Sequence, residues 1–208
     1  MNAVTLGPAG TYSHRAARAV AAEVSFRESV TGIVDAVATD EYERGVVPIE
    51  NSIEGSVTES LDALADHDVA VTREVVTPIR HALLAQGSEF EAVASHSQAL
   101  AQCRNWLEAT YPDAGLEAVA STARGVERAR DDARVAGIGH PDNAGDDLSI
   151  LAEDIQDRTS NATRFLVVAP ESARSDAGGK TTLIVYPNAN YPGLLLELLE
   201  AFADRNLN

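Results

Sequence analysis

The sequence predicts a layered α/β fold, and three observations carry that expectation. Short β-rich runs alternate with stretches of helical periodicity through most of the 208 residues, the pattern of strands and helices packed in layers. Hydrophobic residues make up 45% of the chain and fall in periodic segments, so a core can be buried and a disordered acidic tail is excluded. The polar stretch Pro170–Gly179 (PESARSDAGG) then breaks the rhythm and reads as a linker to a short tail.

Taken in order, Val4–Leu6 is a strand, followed by a Gly/Pro turn and a helix from about Ser13 to Ala22. Val24–Phe26 is a short strand and Ile33–Val37 lies in a second helix. Val46–Ile49 is a buried strand and Val57–Ala65 a third helix. Val69–Ala85 is long and β-rich, interrupted by Pro78. Ala92–Ala94 (strand), Gln98–Ala109 (helix), Leu116–Ala120 (strand), Arg124–Arg130 (helix) and Val135–Ile138 (strand) repeat the rhythm. Ile150–Ile155 and Phe165–Val168 add strand. Beyond the linker, Thr182–Val185 is a strand, and Leu194, Leu195, Leu198, Leu199 and Phe202 recur at helical spacing behind Gly193. One strand and one helix cannot bury a core alone, since chains below about 40 residues need staples or a partner. The tail is expected to be truncated or to lean on something else.

Acidic residues outnumber basic ones 32 to 16, for a net charge of -16. Lys180 is the only lysine; the other basic residues are arginines. Nucleic acid and anionic membrane surfaces are disfavoured as partners, because both need a basic face. An acid excess with almost no lysine suggests solubility in concentrated salt, since such charge self-repels in dilute buffer. No basic and apolar leader precedes the first strand, and no apolar run approaches the roughly 20 residues of a membrane helix, so the expected location is cytoplasmic. Cys103 is the only cysteine and sits in a helical pattern, which suits a small core residue.

Four segments could carry chemistry. Gly7-Pro8-Ala9-Gly10-Thr11-Tyr12-Ser13-His14 follows a strand and opens a helix, where free N–H groups and the Thr11 and Ser13 hydroxyls can meet an anion. It is equally an ordinary strand-to-helix turn with Thr or Ser as N-cap, and it lacks the Gly-Lys-Ser/Thr ending of a P-loop. Pro48-Ile49-Glu50-Asn51-Ser52 ends a strand, where ligands bind in open α/β sheets; Ser56 and Glu59 downstream fit a capping box. Ser95-His96-Ser97-Gln98-Ala99 and Ser121-Thr122 occupy the same kind of position, as ligand contacts or as N-caps. Asn161-Ala162-Thr163-Arg164-Phe165 enters a strand. The histidines are scattered without metal-ligand spacing, and Asp142–Glu153 misplaces its glycine for a calcium loop. No metal is expected.

Together these segments resemble the prephenate dehydratase family of phenylalanine biosynthesis. The family pattern GPxGTYS appears at Gly7–Ser13, and GVVPIENSxEGSV at Gly45–Val57. SHPQALAQC appears at Ser95–Cys103 with Ser97 in place of proline, and TRF at Thr163–Phe165. The resemblance covers residues 1 to about 170. The tail resembles the start of an ACT regulatory domain: Pro192, Gly193 and Leu194 match its phenylalanine-binding turn, and Asn206-Leu207 its next strand. No chorismate mutase segment precedes the catalytic part, so a monofunctional chain is expected.

The resemblance implies a two-lobed catalytic domain, similar to type II periplasmic binding proteins, over 1–170. One lobe would comprise 1–77 and 161–170, the other 78–160. A linker would follow at 171–179 and a partial α+β, ferredoxin-like ACT domain at 180–208. It implies decarboxylating dehydration of prephenate to phenylpyruvate, CO2 and water, without cofactor or metal, by a homo-oligomer (dimer or tetramer) open to L-phenylalanine as effector. Thr163 would assist the leaving hydroxyl. Thr11, Tyr12, Ser13, Asn51, Ser52, Ser95, Gln98, Ser121, Thr122, Arg164 and Phe165 would bind substrate, with Phe165 shaping an apolar wall and Arg164 pairing either a carboxylate or a structural partner. His14 and Glu50 are the neighbours that could polarise Thr163. Arogenate dehydratase, which uses the aminated substrate, and a non-enzymatic sensor on the same fold are the rivals.

Overall fold

The computed structural model describes residues 2–53, 55–158, 160–175, 177–179, 183, 185 and 187–207. The chain falls into two units, Met1–Asp176 and Ala177–Asn208. The first begins with β1 (Asn2–Leu6), α1 (Tyr12–Arg18), β2 (Glu23–Arg27) and α2 (Val30–Ala38). It continues with β3 (Arg44–Asn51), β4 (Gly55–Ser56), α3 (Thr58–Asp66), β5 (Val69–Pro78) and β6 (Ala82–Ala85). β7 (Ala92–His96), α4 (Ser97–Gln102), α5 (Arg104–Thr110), β8 (Gly115–Val119) and α6 (Thr122–Asp131) follow. β9 (Val135–Gly139), β10 (Ser149–Ala152) and β11 (Ala162–Pro170) complete it.

Two sheets divide these strands, giving the two-lobed α/β arrangement. One sheet has the order β2-β1-β3-β11-β5, with β4 paired to β3; the other runs β10-β6-β9-β7-β8. β1 lies parallel to β2 and β3, while β11 runs antiparallel to β3 and β5. β7 lies parallel to β8 and β9. The chain crosses between the sheets twice, from β5 to β6 and from β10 to β11. Pro78 closes the first strand at the first crossing, as a residue without an N–H must. Val4, Val47, Ile49, Leu166 and Val168 pack with α2 and α3 on one face of the first sheet; Val46, Phe165 and Val167 pack with α1 on the other. In the second sheet, Leu83, Val93, Ala136 and Ile138 pack on α4 and α5. α6 covers the opposite face, where glycines allow close approach. A Cβ on Gly125 would stand 2.4 Å from the Ala94 carbonyl oxygen, and one on Gly137 would stand 2.8 Å from that of Gly125.

Three local expectations differ. The single helix foreseen over Gln98–Ala109 is broken at Cys103 into α4 and α5. The Asp157 N–H takes the Gln102 carbonyl at 2.7 Å, and the Asp157 carboxylate accepts from Asn105 N at 3.4 Å. Tertiary partners thus replace the helical bonds across the joint. The Ser56–Glu59 capping box does not form: Val57 is the N-cap of α3 without a side-chain bond, and Glu59 instead accepts from Val30 N at 2.9 Å, capping α2. The strand expected to reach Ile155 stops at Ala152, because Asp154 takes a left-handed turn (φ 54°) and Ile155 N bonds the His81 carbonyl at 3.1 Å.

In the second unit, α7 (Leu194–Ala203) starts behind Gly193 in the left-handed region, φ 96°. The expected strand over Thr182–Val185 falls largely outside the described residues. Asn206 and Leu207 form no strand: Asn206 is left-handed (φ 54°) and Leu207 N bonds Phe202 O at 3.0 Å, which ends the helix.

Candidate active site

A cleft of about 230 Å³ opens between the strand ends of the two sheets of the first unit. Thr11, Tyr12 and Ser13 reach it from the turn after β1, and Asn51 from the end of β3. His96, Gln98, Ala99 and Gln102 reach it from the end of β7 and from α4; Ala120, Ser121 and Thr122 precede and open α6. Ile79 and His81 come from the first crossing, Asn161 and Thr163 from the start of β11. This is the carboxyl-end crevice where open α/β sheets bind ligands. Among the described residues no Asp, Glu, Lys or Arg lines it. Its polar groups are hydroxyls, amides, imidazoles and the first N–H groups of helices.

Several of these hydroxyls serve as caps as well. Thr11 Oγ1 accepts from His14 N at 3.3 Å and donates to Pro8 O at 2.9 Å. Ser121 Oγ accepts from Arg124 N at 3.1 Å. The capping and ligand-facing roles therefore coexist at the same residues.

A hydrogen-bond chain runs along the floor. Ile53 N donates to Asn51 Oδ1 at 2.9 Å. A backbone N–H can only donate, so this contact fixes the Asn51 amide. Asn51 Nδ2 then donates to Thr163 Oγ1 at 3.0 Å and to Asn161 Oδ1 at 3.2 Å. Asn161 Nδ2 in turn donates to Gln102 Oε1 at 2.9 Å. Gln102 Oε1 also meets His81 Nε2 at 2.9 Å. The Thr163 hydroxyl accepts within this chain, which leaves its own proton available to a ligand.

Tyr12 packs edge-on against His81 and His140, with ring centroids 6.2 and 6.0 Å away, and its hydroxyl donates to Arg80 O. Burial pushes the Tyr12 phenol up, so it stays protonated. Burial also lowers His81 and His140, the latter helped by Arg15.

The structure brings Thr11, Tyr12, Ser13, Asn51, Gln98, Ser121, Thr122 and Thr163 together around the cleft. Four expected ligand contacts lie elsewhere. Ser95 is fully buried and donates to Ile138 O at 2.7 Å. Ser52 Oγ accepts from Ala162 N at 2.9 Å and donates to Ser160 O at 3.2 Å, tying β3 to β11. Arg164 bonds Glu50 at 2.8 Å and Glu74 at 3.3 Å across three strands, the structural pairing that is one of its two expected roles. Phe165 is buried against Ala16, Ala17 and Val46, behind the cleft wall. The two suggested polarisers are also committed: His14 Nδ1 accepts from Gly10 N at 3.0 Å, and Glu50 pairs with Arg164. Asn51 takes the neighbour's place.

His81, Gln102 and Asn161 also line the cleft, though none is among the expected ligand residues. Gln102 and Asn161 lie inside the recognised segments, yet only their pairing in space marks them. His81 stands alone inside the β-rich run Val69–Ala85 and carries no local signal. In the second unit, Gly193 and Leu194 line a cavity of about 620 Å³ with Tyr191, Leu198 and Phe202; Pro192 does not line it. Among the described residues no cluster of three His, Cys, Asp or Glu could hold a metal, and no helix is long and apolar enough to cross a membrane.

The prephenate dehydratase family model matches residues 3–173. The bifunctional chorismate mutase/prephenate dehydratase of Stutzerimonas stutzeri is 37% identical over 98% of this chain, and the chain spans 58% of that protein's length. The prephenate dehydratase of Lactococcus lactis subsp. lactis is 34% identical over the whole chain, which covers 78% of that protein. Among solved structures, the prephenate dehydratase of Arthrobacter aurescens in complex with L-Phe matches with a TM-score of 0.81 and 32% identity, over 99% of this chain and 73% of that one. With the family model spanning most of the first unit and relatives above 30% identity along nearly the whole length, the chain belongs to the prephenate dehydratase family.

Proposed function

We propose that this chain converts prephenate to phenylpyruvate, CO2 and water. The observation that carries the proposal is the Thr163 hydroxyl. It lines a cleft that no charged side chain lines among the described residues, accepts from Asn51 Nδ2, and so has its proton free for a leaving group. Prephenate is a dicarboxylate with a ring hydroxyl. The ring C–CO2 bond breaks, its electron pair enters the ring, and the C–OH bond breaks to release hydroxide, which takes a proton from solvent to become water. Aromatisation drives the change, so the enzyme's task is to hold two carboxylates and stabilise the departing oxygen. Thr163 donates a hydrogen bond that strengthens as charge grows there. Carboxylates are met by the α1 loop hydroxyls, by Gln98 and Gln102, and by the start of α6. One helix terminus contributes about 0.3–1 kcal/mol, so several donors act together.

The test is to incubate the purified protein with prephenate or arogenate in molar salt and to follow aromatic product by absorbance. Phenylpyruvate from prephenate supports the proposal. Product from arogenate alone identifies an arogenate dehydratase, and product from neither favours a small-molecule sensor. The same proposal has the protein act in the cytoplasm as a homo-oligomer. Its second unit would be part of an ACT domain that binds L-phenylalanine. The cavity beside Gly193 and Leu194, and the relative in complex with L-Phe, support that part. Calorimetric titration with L-phenylalanine checks it.

A further inference from the structure

The floor of the cleft ends at a buried histidine that the proposed chemistry leaves without a role. His81 is 2% exposed. Its ring stands between two oxygens: Gln102 Oε1 lies 2.9 Å from Nε2, and the Tyr12 hydroxyl lies 3.5 Å from Nδ1. Gln102 Oε1 already accepts from Asn161 Nδ2, whose orientation follows through Asn51 from the Ile53 N–H. If His81 carried its proton on Nδ1 alone, Nε2 would be an acceptor and the Gln102 amide would have to turn over to meet it. Its NH2 would then face the Asn161 NH2, donor against donor. Turning Asn161 in its place only moves the clash to Asn51, which the backbone holds. The chain therefore closes with His81 as a donor from Nε2. The consequence lies on the open side of Gln102. Its oxygen is held by two donors, and no protein acceptor meets Gln102 Nε2 among the described residues, so the Gln102 NH2 is left for the cleft.

We propose that His81 is a positioning residue: by donating from Nε2 to Gln102 Oε1, it presents the Gln102 NH2 to an acceptor oxygen of the bound ligand. The proposal rests on the cleft being the prephenate site. It predicts a binding effect rather than a loss of chemistry, because Gln102 meets the ligand before and during the reaction.

The test compares wild type, His81→Phe, His81→Gln, Gln102→Met and the His81→Phe/Gln102→Met double variant by steady-state kinetics with prephenate. In His81→Phe, KM rises about tenfold, the size of one net hydrogen bond, with kcat within about threefold. The amide nitrogen of His81→Gln reaches the place of Nε2 and recovers most of the loss. In the Gln102→Met background, His81→Phe adds nothing further to KM, because the group it orients is gone. Additive effects of the two substitutions, or a His81→Gln variant as impaired as His81→Phe, would overturn the proposal. A nitrogen-15 NMR spectrum of wild-type histidines decides the matter independently of turnover and of variant folding. A neutral His81 protonated on Nε2 is expected; a proton on Nδ1 alone sinks the proposal. If the wild type turns over no prephenate, the substrate assignment fails, and the tautomer spectrum still tests the hydrogen-bond chain.

Discussion

Thr163 and Asn51 stand opposite each other in the antiparallel pairing of β11 with β3, and their side chains bond at 3.0 Å. Removing the hydroxyl removes the donor to the leaving oxygen. Thr163→Ala is expected to lower kcat by about 10²–10⁴, the range for loss of an acid–base or transition-state donor group; a drop of tenfold or less with a normal fold would unseat Thr163. Asn51→Asp is a sharper probe, because it keeps the shape and the acceptor for Ile53 N. The new carboxylate accepts the Thr163 proton and turns it from the leaving group, so kcat should fall, and Tm should fall too because the donor to Asn161 Oδ1 is lost. His81 bears on stability as well. Burial lowers its pKa from 6.5, so below that value the unfolded chain binds the proton more readily than the folded one. His81's contribution to stability is full above pH 6.5 and declines as pH drops from there toward its folded-state pKa. His14 and His140 shift in the same direction, through burial first. Melting curves between pH 7 and 5 should show a falling Tm, with a smaller fall in His81→Gln. Thr163 and Asn51 were legible in the sequence because each sits in a specific block. Their bond was not, since it joins residues 112 apart.

At the scale of elements, the cleft depends on how close the helices come to their sheets. α6 carries Ser121 and Thr122 at its start, and Gly125 one turn on lets it sit against β7. A methyl there would meet backbone, at 2.4 Å from Ala94 O, and backbone cannot swing aside as a side-chain tip can. Gly125→Ala should therefore destabilise by about 1–3 kcal/mol, the cost of overpacking, despite alanine's better helix propensity. Denaturant melts would check the sign; a stabilised variant would show that α6 has room to retreat. Alternating β-rich and helical runs made most elements legible, since apolar periodicity is a local property. Two of the departures share one cause. The break at Cys103 is set by Asp157, and the vacant capping box at Ser56 by Glu59 reaching Val30. In each, a residue distant in sequence outbids the local signal. Strand pairing and core packing likewise hold the side chains of Ser52, Ser95, Arg164 and Phe165, four of the expected ligand residues.

Over the whole molecule, charge and solvent act on the proposed substrate in opposite directions. The chain carries a net charge of -16, and a dianion must approach a cleft whose lining holds no Lys or Arg among the described residues. Long-range repulsion should slow capture in dilute buffer. Screening removes it, because the Debye length falls from about 10 Å at 0.1 M salt to about 3 Å at 1 M. Salt also weakens a contact that joins the two sheets' regions across the cleft. Arg15 of α1 pairs with Asp142 at 2.7 Å, beside the Asn143 Nδ2 bond to Gly10 O at 2.9 Å. Asp142 is 65% exposed, and an exposed pair contributes about 0–1 kcal/mol. The neutral Asn143 bond survives screening. The loss at the latch is therefore at most a few-fold, whereas relief of repulsion acts on every encounter. Apparent affinity for prephenate is expected to improve, or at least hold, as salt rises to molar levels. Asp142→Asn should lose affinity at low salt and converge on wild type at high salt. The measurement is kcat/KM against salt concentration, with circular dichroism to follow the fold. A steep loss of activity above about 0.5 M salt with the fold intact, where the Debye length is already short, would mean that charge pairs rather than neutral donors hold the substrate.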